Sequence, residues 1–317
     1  MTKRKKIIIS LASIFCICVI ALTVFLSVQK YLDNQITFIV NDTLPDGQGK
    51  KATVILLGGQ SNASGCTRDE YLQKKVSAEQ YSVYQNGYDN VYINYYASGT
   101  NASQGFVKCS TAQGEAGGFF GPELGLAEKL NEMYPDELFF IIKCAWGGTE
   151  LYTQWISPSS DGKTGPMYKQ FEKYVEISLK YLISKNYDIT IEGMCWMQGE
   201  SDSIFVETAT DYKEHLSNLI KDIRKKFSRY AADDGIAFID AYIADNPVYW
   251  VYYDIVNQKK QEVADASPIN VVIDTISHGL TCSEEPEETP DLAHYDALSE
   301  LKLGHLFAEH LAQFLDS

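Results

Sequence analysis

The stretch TVILLGGQSNASG, residues 53–65, decides the fold. Thr53 to Leu57 is a short unbroken run of strand-forming residues, and Gly58 and Gly59 end it. A run of that length bounded by turn residues is what a strand buried on both faces of a parallel sheet looks like in sequence. The glycines allow a sharp turn, and Ser61 then follows at the carboxyl end of the strand. In open α/β sheets that edge is where ligands bind. Ser61 thus stands where a nucleophile is wanted, although Gly58 to Gly65 taken alone reads first as a plain turn between strand and helix.

Outward from this stretch, strands and helices alternate. Strands are expected at 90–95, 138–142, 190–196, 236–241 and 269–273, and helices at 121–133, 167–184, 210–227, 254–265 and 296–315. Pro122 suits a first helical turn, and Leu124, Leu126, Ala127 and Leu130 give that helix one apolar face. Such alternation predicts a three-layer α/β/α domain with a central parallel sheet.

Charge narrows the partners. The chain carries a net −15, and residues 31–317 alone hold 22 basic against 42 acidic side chains. A field of that sign disfavours nucleic acid and suits a neutral or weakly charged substrate. Lys3 to Lys6 precede Ile7 to Val28, a segment without a charge and long enough to cross the ~30 Å of a bilayer core. With the basic side held in the cytoplasm, residues 1–6 read as a tail, 7–28 as a transmembrane signal anchor, 29–51 as a stalk and 52–317 as a domain outside the cell membrane. A cleaved signal peptide has a shorter apolar core and a small-x-small site; the protein is secreted only if the segment is cleaved. Five cysteines lie beyond that segment with no CxxC and no His pairing, so no metal is suggested. Cys144 and Cys195 fall in apolar strands, as buried thiols do.

Three apolar strands end in Gly-containing polar loops: GGQSNASG, AWGGTEL (Ala145 to Leu151) and MQGESD (Met197 to Asp202). In a parallel sheet these loops share one edge. Asp291-Leu-Ala-His294 follows just before the last helix, a spacing that lets the carboxylate hold the imidazole in one tautomer. Separately, Asp291 reads as a helix cap, Gln198 as a loop hydrogen-bonder and Gly147-Gly148 as a turn. Their joint occurrence in this order points to acyl transfer.

These blocks, with Gly121-Pro122-Glu123 and Lys143 to Thr149, resemble the SGNH-hydrolase superfamily, within it the sialate O-acetylesterase and acetylxylan-esterase group of carbohydrate esterases. The resemblance runs from about residue 53 to 294. It implies a flavodoxin-like sheet, no cofactor, and an acetylated carbohydrate as substrate. Position by position, it makes Ser61 the nucleophile, His294 the general base and Asp291 its orienting carboxylate. Oxyanion donors would be the N–H of Ser61, the N–H of Gly148 in preference to Gly147, and the Gln198 amide. Gln60, Asn62 and Glu200 would brace these loops or meet substrate, and His278 would approach the site. The acidic insert Ser283 to Thr289 immediately precedes Asp-x-x-His and reads as solvated surface. A lipase or thioesterase of the same fold, and a non-catalytic carbohydrate-binding surface protein, are the competing readings.

Overall fold

A computed structural model describes residues 39–160 and 162–315; the expected tail and membrane anchor lie outside the described residues. Among the described residues no helix is long and apolar enough to cross a membrane. Residues 39–50, expected to belong to a stalk, are not detached. Val40 and Asn41 donate to the Gln104 carbonyl, Gly47 and Gly49 to those of Lys185 and Asn186, and Leu44 is buried.

The strands are β1 (Lys51–Gly59), β2 (Thr67–Arg68), β3 (Val91–Ala97), β4 (Asn101–Ala102), β5 (Val107–Lys108), β6 (Phe119–Phe120), β7 (Phe139–Ala145), β8 (Asp188–Met197), β9 (Ala237–Ala241) and β10 (Asn270–Ile273). Every strand and helix expected from the pattern is present, its ends moved by no more than four residues. The main sheet runs β10-β9-β8-β1-β7-β3 in parallel, with β4 and β5 antiparallel on β3. Numbered along the chain, its six parallel strands lie in the order 2-3-1-4-5-6, not the flavodoxin order 2-1-3-4-5. The physical reason lies in β7. All seven of its residues are buried, so it takes an interior place between β1 and β3, and short β4 and β5 cover the outer edge of β3.

Helices α1 (Ser61–Ser64), α2 (Asp69–Lys75) and α3 (Ala78–Asn86) fill the segment after β1. Helices α4 (Glu123–Met133) and α8 (Ala297–Leu315) pack on one face of the sheet, and α5 (Pro166–Ser184) and α6 (Val206–Phe227) on the other, where α7 (Tyr253–Ala264) joins α6. The α4–α8 crossing is backbone on backbone. A Cβ on Gly125 would meet the Leu301 carbonyl oxygen at 1.9 Å, and one on Gly304 the Pro122 carbonyl oxygen at 2.1 Å. Lys143 on β7 and Glu123 on α4 form a fully buried ion pair at 2.6 Å, and Lys143 also donates to the Gln113 carbonyl. Removing one partner of such a pair costs about 3–5 kcal/mol, because the other charge is left without compensation.

Candidate active site

Ser61 opens α1 directly after β1. The turn requires glycine at residue 59, whose φ is +138° and whose Cβ would fall 2.0 Å from the Met197 carbonyl oxygen. Trp146 N–H donates to the Gly59 carbonyl and Gln60 N–H to that of Met197, which laces the ends of β7, β1 and β8 together. Ser61 is 8% exposed and lines a cleft of about 510 Å³. Gln60, Gly147, Gly148, Asp291 and His294 line the same cleft, so one space gathers most of the residues singled out above.

The two glycines differ. Gly147 N–H donates to Ser98 Oγ at 3.0 Å. Gly148 has φ +66°, a conformation that side chains resist, and no atom lies near where its Cβ would be.

Gln198 departs from expectation. It is fully buried and does not line the cleft. Its amide nitrogen donates to Asp202 Oδ2 at 2.6 Å, with the Thr149 carbonyl at 3.1 Å and Gln60 Oε1 at 3.2 Å. An amide carries only two N–H donors, so these inward partners use them, and none is left for an oxyanion in the cleft. Its carbonyl accepts from the Tyr212 hydroxyl. The residue ties the Gly148 loop to the Ser61 loop instead. Asp202 also accepts from the N–H groups of Leu151 and Tyr152, and burial pushes its carboxyl up to about 7 against those donors.

Asn62 joins the two halves of the site. Its Nδ2 donates to Glu200 Oε1 at 2.7 Å, and its Oδ1 accepts from Tyr295 N–H at 3.1 Å, the peptide group that follows His294. Glu200 is buried, its other oxygen has no hydrogen-bond partner among the described residues, and desolvation raises its pKa.

His294 Nδ1 lies 2.7 Å from Asp291 Oδ2, and the two side chains are 29% and 49% exposed. The loop that carries them folds over a carboxylate. Asp296 accepts from the N–H groups of Ser283, Glu284 and Glu285 and from the Thr281 hydroxyl. Glu285, only 7% exposed, accepts from Ala297 N–H at the start of α8, where a negative charge meets unpaired helix donors. Its carbonyl accepts from Asp291 N–H. The acidic insert is therefore partly structural. Burying Asp296 and Glu285 is possible because each finds backbone donors.

The remaining candidates and aromatics divide. His278 is exposed and does not line the cleft. Trp155 and Trp196 are core residues in edge-to-face contact, whereas Trp250, which no motif marked, lines the cleft. Glu115, Cys66 and Phe119 were missed as well. The one available signal was a lone acid among glycines in Gly114 to Gly118, just ahead of Gly121-Pro122-Glu123. The five described cysteines are free thiols. Among the described residues no group of three or more His, Cys, Asp or Glu is arranged to hold a metal ion.

Fold and cleft define an α/β protein with a serine at the carboxyl edge of a parallel sheet, in one cleft with a carboxylate-held imidazole. A family model described as carbohydrate esterase, sialic acid-specific acetylesterase, matches residues 51–313, and the chain belongs to that family of carboxylic ester hydrolases. A probable 9-O-acetyl-N-acetylneuraminic acid deacetylase of Escherichia coli (strain K12) is 25% identical over 146 residues, 42% of this chain and 43% of that protein. The alignment thus spans less than half of that relative. Among solved structures, NanS superposes with a TM-score of 0.61 at 15% identity, covering 85% of this chain and 99% of that one. An Arabidopsis thaliana protein gives 0.59 at 18% identity over the same shares. A carbohydrate acetylesterase from Xanthomonas citri gives 0.55 at 15%, covering 82% of this chain and 56% of that chain. At these identities the superpositions speak for the fold.

Proposed function

We propose that the chain is a serine esterase that removes O-acetyl groups from carbohydrate through an acyl-enzyme. The observation that carries this reading is the single cleft shared by Ser61, Gly148 and the Asp291–His294 pair. With Nδ1–H donated to Asp291, the imidazole keeps Nε2 free as a base. Ser61 Oγ gives its proton to Nε2 and attacks the acetyl carbonyl carbon. The tetrahedral oxyanion is met by the N–H groups of Ser61 and Gly148, donors fixed by backbone before reaction. The bond from carbon to sugar oxygen breaks as His294 returns the proton to that oxygen, leaving acetyl on Ser61. Water then repeats the sequence: it gives a proton to His294, adds to the acyl carbon, and acetate leaves as Ser61 recovers its proton. Gln198 serves here as a tie between loops, not as an oxyanion donor. In the same reading residues 7–28 anchor the chain in the cell membrane with the esterase domain outside.

The test is Ser61→Ala assayed for acetate release from acetylated sugars and 4-nitrophenyl acetate. A loss of roughly 10³-fold or more is expected, together with loss of fluorophosphonate labelling. Retained activity, or labelling of the variant as strong as wild type, overturns the nucleophile assignment.

A further inference from the structure

Glu115 lines the cleft with Ser61, and its carboxylate is fixed there. Its Oε2 accepts from Ser64 Oγ at 3.2 Å and from Cys66 Sγ at 2.7 Å. Its N–H donates to the Gly65 carbonyl, and its own carbonyl accepts from Thr100 Oγ1. A Cβ on Gly147 would come within 3.1 Å of Oε2, so the carboxylate abuts the turn that carries Gly148. Both side-chain donors are neutral. Burial, and next the charge of Glu115, push the Cys66 thiol above its ordinary range, which keeps it protonated as a donor.

Asp291 is the second carboxylate on this lining, set against His294, and among the described residues no lysine or arginine lines the cleft. The guanidinium of Arg68 lies 5.3 Å from the centre of the Phe119 ring, which does line the cleft. That guanidinium is about half exposed and sits 3.4 Å from Glu70. The wall that a bound sugar meets thus offers fixed negative charge and, among the described residues, no lysine or arginine to answer a sugar carboxylate.

We propose that Glu115 is a specificity-determining residue that excludes acidic sugars, so that acetyl groups on neutral sugars are hydrolysed in preference to those on sugars bearing a carboxylate. This rests on the esterase reading above and deepens it by naming the substrate class. The physical cause is like-charge repulsion in a partly desolvated cleft, where counterions screen less than in bulk water. The oxyanion of the reaction has donors of its own, but a carboxylate elsewhere on the sugar has none of opposite charge. The family description names sialic acid, an acidic sugar, and this lining departs from what its carboxylate requires.

The test compares 9-O-acetylated N-acetylneuraminic acid with its C1 methyl ester, which keeps the skeleton and removes the charge. Acetate release by the full chain is followed, with 4-nitrophenyl acetate as a third substrate. The methyl ester is expected to be favoured by roughly tenfold in kcat/KM at low salt, with the gap narrowing as salt is raised. Glu115→Gln should shrink the ester-to-acid ratio. Because that ratio is read within each variant, a general loss of activity cancels. Equal rates on acid and ester in the wild type, or a preference for the acid, overturn the proposal while leaving the esterase intact; so does a ratio unmoved by Glu115→Gln. If the acid becomes a good substrate only through Arg68, Arg68→Ala will abolish its turnover, and the exclusion is again overturned. No acetate from any of the three substrates overturns the esterase reading and this proposal with it.

Discussion

The two sides of the cleft are built differently. Ser61 and Asn62 are 8% and 2% exposed, set on a turn locked by Gly59 between the ends of three central strands. Asp291 and His294 are 49% and 29% exposed, on a loop held by cross-braces: Glu285 beneath it, the Asn246 amide on the Leu292 carbonyl, and Asn62 on the Tyr295 N–H. The Ser61 side is fixed by the sheet itself. The His294 side is fixed by individual hydrogen bonds, and so is the side that single substitutions should disturb gradually.

The largest effect expected from this contrast is on folding. Gly59→Ala places a methyl group against the Met197 carbonyl with no flexible neighbour to yield, so a loss above about 3 kcal/mol is expected in urea unfolding. A loss under 1 kcal/mol would mean that the strand ends give way and are not rigid. On the His294 side, Asp291→Asn should leave stability nearly unchanged, because half of that side chain is in water, while lowering kcat by about 10²-fold. A drop equal to that of Ser61→Ala would instead make the carboxylate as indispensable as the hydroxyl. Asn62→Ala tests the hydrogen bond from Tyr295 N–H that ties the two sides together. It should cost about 1–3 kcal/mol and lower kcat more than it raises KM, because Glu200 loses its donor and Tyr295 its acceptor. Unchanged kcat with reduced stability would show that the brace holds the fold alone.

A further effect concerns pH. Asp202 holds its proton up to about pH 7 in the folded chain, whereas an unfolded aspartate gives it up near pH 4. The folded state thus binds more protons across that window, and this group's contribution to stability falls as pH rises from about 4 to about 7, then levels off. Thermal melts at closely spaced pH values, in wild type and Asp202→Asn, should show a shallower decline in the variant.

What was legible in the sequence follows the same division. The strand of Thr53 to Leu57 and its partners announced themselves because burial on both faces leaves mostly apolar residues. The short helices α2 and α3 did not, since one buries only Leu72 and the other only Tyr81 and Tyr84, too little for a stripe. Strand order escaped because periodicity tells which residues are buried, not which neighbour buries them. Asp291 and His294 were found through their spacing, whereas Glu115 and Trp250 meet the cleft from segments without local pattern. Gln198 was placed at the right edge and given the wrong direction, because a loop sequence does not reveal that Asp202, four residues on, will claim its amide.

The clasp between Gly125 and Gly304 has a consequence for how lesions in this chain will sort themselves. Helix α8 begins three residues after His294 and is keyed into α4 backbone to backbone at Gly125 and Gly304. The imidazole's place along the rim is thus inherited from a helix contact on the far flank of the sheet. A genetic screen for lost deacetylation would recover bulky replacements at residue 304 alongside true chemical knock-outs, although that glycine does not line the cleft.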